Sequence, residues 1–164
     1  MEHSSRVLSD FSPIARKILE TVSYASLATA SAAAVPWNSP VFVAYDRRFT
    51  FYWISSPEAQ HSRNIRENGK VFLVIYDSTA RKGTGYGVYI AARAMEISEH
   101  DEMILAINLI YERKGESPKP VEDFSGDIPR RIYRAVPEKI WINTDGQVNG
   151  HHVDARVEVN LGSL

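Results

Sequence analysis

Residues 38–77 read NSPVFVAYDRRFTFYWISSPEAQHSRNIRENGKVFLVIYD, and their order of elements decides the fold class. NSPVFVAY and RFTFYWI are rich in β-branched and aromatic residues, with Asp46-Arg47-Arg48 between them, which predicts a hairpin. Ser55-Ser56-Pro57-Glu58 then gives a helix start, with proline at the first position and an acid in the first turn. The helix runs to about Asn68 and stops at Gly69. Residues 70–77 are a nearly continuous apolar run and predict a buried strand.

On the N-terminal side, residues 11–23 predict a helix capped by Ser12, with Pro13 at its first position and Ile14, Ile18, Leu19 and Val22 on one face. Residues 24–30 read as a short strand and 31–37 as a loose turn. On the C-terminal side, the glycine-rich stretch 83–87, GTGYG, leads into a long strand over 88–98. Residues 100–114 predict a helix with acids early and bases late, matching the helix dipole. Residues 115–129 are a polar surface excursion. Residues 130–143 read as a strand pair or one bent strand, because Pro137 cannot donate to a ladder. Residues 144–152 read as a loop and 153–161 as a closing strand. Such an order lacks the regular β-α alternation of a parallel sheet, so antiparallel neighbours and a barrel fit better.

The chain of 164 residues fits one domain, 1–164, with 1–10 as a loosely ordered tail. Its net charge of −1 offers no general attraction to nucleic acid or to an anionic membrane. Cysteine is absent, which excludes disulfides, thiol catalysis and cysteine-based zinc sites. The start lacks the basic and apolar regions of a signal peptide, and no stretch reaches the ~20 apolar residues of a membrane span. The expectation is a soluble cytoplasmic protein.

Chemistry concentrates in three places. The segment Trp53 to Ile65 joins a strand to a helix N-terminus, which attracts phosphate through unpaired N–H groups. Ser55 and Ser56 add hydroxyls there, and Gln60, His61, Ser62 and Arg63 add donors and charge. The same segment also describes a capped surface helix, with His61 as an ordinary surface histidine. GTGYG, preceded by Arg81-Lys82, lets backbone approach a ligand or simply makes a flexible connection. It lacks the full dinucleotide pattern, and no P-loop occurs. The third place is the segment Arg134 to Trp141, with Asp154 and Arg156 near the end. Trp141 suits core or interface packing. His151-His152 would point to opposite faces of a strand, so no metal site is expected.

Taken together, LATA (27–30), PWNSPVFVAYD (36–46), the stretch 51–77, GTGYGVYIAARAMEIS (83–98) and RIYRAVPEKIWIN (131–143) resemble the pyridoxamine 5′-phosphate oxidase-like FMN-binding family. The resemblance implies a mainly β fold of α+β class, a six-stranded antiparallel split β-barrel with flanking helices. It implies a homodimer with FMN between the subunits and a small-molecule substrate. FMN contacts would fall on Trp53, Ile54 and Ser55, and the phosphate on Gln60 and His61, with Ser62 and Arg63 close by. Many relatives carry a basic pair where Gln60-His61 stands, so fewer permanent charges would grip the phosphate here. Asn38, Ser39 and Pro40 match the strand at the isoalloxazine edge, Gly87 and Val88 the strand that passes the cofactor, and Trp141 an aromatic supplied by the partner subunit. GHHVDARVEV only loosely echoes the substrate-binding segment of the vitamin-B6 oxidase, with Arg156 as the candidate substrate contact. The implied activity is that of an FMN-dependent oxidoreductase of unknown substrate. An F420-dependent reductase, or a non-enzymatic flavin- or haem-binding module, is the alternative.

Overall fold

A computed structural model describes residues 11–160. The expected tail 1–10 and the last residue of the expected closing strand lie outside that range. The elements are α1 (Ser12–Thr21), β1 (Tyr24–Ala30), β2 (Pro36–Phe42), β3 (Ala44–Tyr45), β4 (Phe51–Ser55), α2 (Gln60–Asn68), β5 (Lys70–Tyr76), β6 (Gly87–Glu96), α3 (His100–Lys114), a 3-10 turn (Val121–Phe124), β7 (Arg131–Val148) and β8 (His151–Glu158).

All ladders among the described strands are antiparallel, in the order β2-β1-β5-β6-β7-β4-β3, with β8 added to β7. The two ends of this path, β2 and β3, are separated in the chain by Val43 alone. The sheet therefore curls until its ends meet at one residue. Val43 leaves the strand direction and donates its N–H to Ser23 O at 2.9 Å.

Eight strands replace the expected six. One reason is that NSPVFVAY is not one arm of a hairpin with RFTFYWI. Its Asn38–Phe42 part pairs with β1, and only Ala44 and Tyr45 pair with β4. The expected turn forms, because Asp46 Oδ1 accepts from the N–H groups of Arg48 and Thr50 at 2.8 and 2.9 Å. The loose turn over 31–37 is also shorter than expected, since β2 starts at Pro36.

The other reason lies at 144–152, expected as a loop. β7 runs on to Val148, and Asn149-Gly150 makes a two-residue turn with φ of 50° and 80°. Both central positions of a type I′ hairpin need positive φ, which Asn-Gly supplies at little cost. Residues 130–143 are one strand, not a pair. It bends where Glu138 is left over between Ala91↔Lys139 and Ala92↔Pro137, so the proline sits at a bulge.

Two helix starts also differ from expectation. In α1 the cap position is Phe11, whose carbonyl accepts from Ile14 and Ala15, and Ser12 already lies in the helix. The Ser55-Ser56-Pro57-Glu58 start does not open α2. Ser56 instead closes a tight turn, its carbonyl accepting from Ala59 N–H at 3.1 Å and its hydroxyl from Glu58 N–H at 3.2 Å. α2 begins after that turn, at Gln60, and stops as expected at Gly69 with φ 67°. α3 spans 100–114 as expected, with the Glu99 carboxylate accepting from the N–H groups of Asp101 and Glu102.

Two apolar clusters hold these elements. The first fills the inside of the curled sheet with Leu27, Leu73, Ile90, Phe51 and Trp53, and is closed by Ala15 and Leu19 of α1. The second lies between α3 and the other face of β3, β4 and β7, through Tyr52, Ile132, Ile107 and Ile110. Fully burying one such Leu or Ile stabilises the fold by about 1.5–3 kcal/mol. α2 contributes Ile65 to the first cluster and is tied to the end of β1 by Asn64 and Asn68.

Candidate functional site

Strand pairing decides which β2 side chains meet α2. Ser39 lies opposite Leu27, a core residue, so Ser39 faces the inside of the curled sheet. Asn38 and Pro40 therefore face out. Ser55 ends β4 on the same inner side as Trp53 and Phe51. His61, the second residue of α2, sits between the two hydroxyls. Its Nδ1 lies 3.1 Å from Ser39 Oγ and its Nε2 2.8 Å from Ser55 Oγ. Trp37, on the Ser39 side of β2, donates its indole N–H to Ser39 Oγ at 3.1 Å.

His61 is 8% exposed, while Trp37 is 50% exposed and the two serines are half-buried. His61 is thus not a surface histidine. Burial lowers its pKa below the usual imidazole value, because the charged ring loses water. A neutral imidazole has one donor and one acceptor nitrogen. One serine must donate to it and the other must accept from it. The accepting serine keeps its own O–H free, so the set presents one hydroxyl hydrogen outward.

The neighbouring α2 side chains have other tasks. Gln60 donates to Asn64 Oδ1 at 2.9 Å, and Asn64 donates to Thr29 Oγ1 at 2.9 Å. Ser62 is buried and donates to Ser56 O at 2.8 Å, fixing the turn ahead of the helix. Arg63 turns back to Glu58 O at 2.6 Å. Of the four α2 residues singled out in the sequence, only His61 engages Ser39 and Ser55.

Trp53 and Ile54 do not offer their side chains here. Trp53 is 0% exposed and stacks on Tyr133 with ring centroids 5.7 Å apart. Among the described residues its indole N–H has no acceptor, an orphaned donor that costs about 1–3 kcal/mol unless completed. Ile54 packs on the second cluster, on the opposite face. What both residues can offer is main chain. β3 pairs with β4 only at Phe51 and Tyr52, so residues 53–55 have no ladder partner on that edge among the described residues.

The remaining sequence candidates lie on the outer face. A registered row runs across it as Pro40, Ser26, Val74, Tyr89, Trp141 and Glu158. Trp141 stacks on Phe72 with centroids 6.2 Å apart, and the Arg156 guanidinium lies 4.0 Å over the Tyr89 ring. Asn38 accepts from Ser26 Oγ at 3.0 Å. Gly87 donates its N–H to Asn143 Oδ1, and the Asn143 amide donates to Gly85 O, which fastens the glycine-rich segment. The Val88 side chain is core. None of the three helices covers this row, since α1 and α3 lie on the two clusters and α2 on the end of β1.

The named residues therefore fall into two sets. Ser39, Ser55 and His61 meet at the inner mouth, while Asn38, Pro40, Trp141 and Arg156 lie across the sheet from them. Sequence reading passed over Trp37, Tyr89 and Asn143. Trp37 had a usable signal, since two residues from Ser39 on a strand puts it on the same side.

Residues 11–144 match pyridoxamine 5′-phosphate oxidase. The chain belongs to that family. Its mostly antiparallel α+β sheet is accordingly the split barrel of the pyridoxamine 5′-phosphate oxidase-like proteins. No curated protein sequence matches the chain. HutZ, the heme storage protein from Vibrio cholerae, is similar in structure, with 20% identity over 87% of this chain and 99% of that one, at a TM-score of 0.68. A heme binding protein from Mycobacterium smegmatis is 17% identical over 90% of this chain and 57% of that one, at a TM-score of 0.67. An F420 reductase is 18% identical over 77% of this chain and 94% of that one, at a TM-score of 0.57. At these identities the likeness concerns the fold. Among the described residues no helix is long and apolar enough to cross a membrane, and no three metal-ligating side chains cluster.

Proposed function

We propose that this pyridoxamine 5′-phosphate oxidase-like protein is an FMN-binding oxidoreductase that works as a homodimer on a small-molecule substrate. The observation that carries the reading is the Ser39, His61 and Ser55 set beside the ladder-free edge of β4. The donors present fit an FMN phosphate: an outward hydroxyl and the main chain of 53–55. When bound, flavin supplies hydride acceptance, and the chain supplies binding, orientation and electrostatics.

The uncovered outer row explains why a second copy is needed. Trp141 cannot reach Ser55 of its own chain, because the sheet lies between them. A two-fold copy laid on this face would bring its own Trp141 toward the first chain's ligand, the isologous arrangement usual for small oligomers. Arg156, held over Tyr89, is then placed to meet an anionic substrate group. The remaining sequence-level proposals, one domain over 1–164 and a cytoplasmic location, accord with this reading.

A second reading is F420 reduction on the same fold, which the lack of a permanent cation in the Ser39, His61 and Ser55 set leaves open. Haem ligation by His61 is disfavoured, because both ring nitrogens already have serine partners.

The test is direct. The purified protein takes up FMN with quenching of flavin fluorescence, and NADH or NADPH bleaches the bound flavin. Replacing Gln60 and His61 together by Glu weakens FMN at least tenfold, through repulsion of its phosphate. A protein that ignores FMN but binds F420 establishes the second reading instead.

A further inference from the structure

An imidazole placed between two hydroxyls governs how many hydrogens the site shows. With His61 neutral, one of the Ser39 and Ser55 hydroxyls donates outward. With His61 protonated, both ring nitrogens donate inward to the serines, and both hydroxyls are released to donate outward. Trp37 already donates to Ser39, which leaves that oxygen a lone pair for the ring and a hydrogen to give.

The charged and titratable surroundings do not fix the ring in either state. From β2 and β4 it meets Ser39 and Ser55, neither of which is charged. α2 itself carries Arg63, Arg66 and Glu67, with Glu58 in the turn ahead. Arg63 is turned to Glu58 O, and the Glu67 carboxylate accepts from Ala32 N–H. On β7, Arg131 is paired with Glu96 of β6 at 3.4 Å and also donates to loop carbonyls. Tyr133 of β7 stays a neutral phenol, its pKa raised by burial. Burial is the influence resolved on His61, and it favours the neutral ring.

We propose that an anionic phosphoryl group docking on the Ser39 and Ser55 hydroxyls is accompanied by uptake of one proton on His61. The site thereby gains a second hydroxyl donor and a positive charge in one step. This inference rests on the flavin reading and adds to it a proton requirement at a set of side chains that carries no permanent charge. The sign follows from linkage. The empty site holds the His61 pKa below its usual value, and the bound anion raises it. Affinity therefore strengthens as pH falls from the bound value toward the free value, by up to about tenfold per pH unit, and levels off below. The second ionisation of the phosphate, near pH ~6, acts the other way in every variant and cancels on comparison.

The experiment is titration calorimetry of the full chain with FMN and with riboflavin, each in two buffers of different ionisation enthalpy, for the wild type and H61Q. The expected result is about one more proton taken up by the wild type than by H61Q on FMN binding, and no difference with riboflavin. NMR of the unmodified protein supplies a second readout, since FMN raises the titration midpoint of the His61 imidazole and riboflavin does not. Equal proton counts in both proteins, or an unmoved midpoint, overturn this inference while leaving flavin binding intact. Failure of both flavins to bind overturns the flavin reading and this inference with it.

Discussion

The inner mouth and the outer sheet face share the same strands and could hardly differ more in how they satisfy their side chains. At the mouth, Trp37, Ser39, His61 and Ser55 are joined by hydrogen bonds within one chain, and Asn64 and Asn68 anchor the helix that carries the imidazole. On the outer face, Pro40, Val74, Tyr89 and Trp141 form a row that none of the helices among the described residues covers. One region is complete except for outward donors. The other holds half-buried side chains, Val74, Tyr89 and Trp141, flanked in the same row by Ser26 and Glu158. The Ser39, His61 and Ser55 set and the Tyr89 and Trp141 rings, on opposite sides of one sheet, make a shared site only if two chains come together.

The sharpest way to break this contrast is to exchange the roles of its two tryptophans. Trp53→Ala removes a fully buried ring from the inner cluster and costs about 3–5 kcal/mol of folding stability, read as a fall in denaturation midpoint. Trp141→Ala leaves the fold standing and weakens self-association by about 2 kcal/mol, read by light scattering over a dilution series. If Trp141→Ala instead destabilises the fold as much as Trp53→Ala, the outer row is core and the contrast fails.

A smaller effect sharpens the mouth alone. The His61 pKa is lowered in the folded chain, so the unfolded chain binds the proton more readily. Its contribution to stability is present above the unfolded value, about 6.5, and is lost as pH falls toward the lower folded value. Unfolding measured from pH 8 down to pH 5 should therefore lose stability more steeply in the wild type than in H61Q. Parallel curves would mean that His61 is not buried as described.

Much of the fold was legible because local rules agreed with the tertiary outcome. The run of acids and bases over 100–114 formed α3, and Gly69 ended α2 with the positive φ that glycine tolerates. Where several local rules competed, the reading slipped. Asn149-Gly150 is a strong hairpin signal, yet its polar surroundings read as a loop, which cut β7 short. Ser56-Pro57-Glu58 is a good helix start, yet it closed as a turn because Ser56 bonds Glu58 and Ala59. In the candidate site, Ser55 and His61 stood out through their place at a strand-to-helix junction. That Gln60, Ser62 and Arg63 serve the scaffold could not be read, because their partners Asn64, Ser56 and Glu58 are chosen by the way the turn packs.

The sequence by itself determined the antiparallel α+β character of the chain, its family and the donor-rich junction at residues 53–63. Periodicity, turn residues and side-chain type act over a few residues and need no distant partner. Only the tertiary structure decided that Ser39 faces His61 while Asn38 and Pro40 face away. A strand's side chains alternate, and which alternate set turns inward depends on register. That register came from pairing Ser39 with Leu27 of β1, a choice made by the whole core.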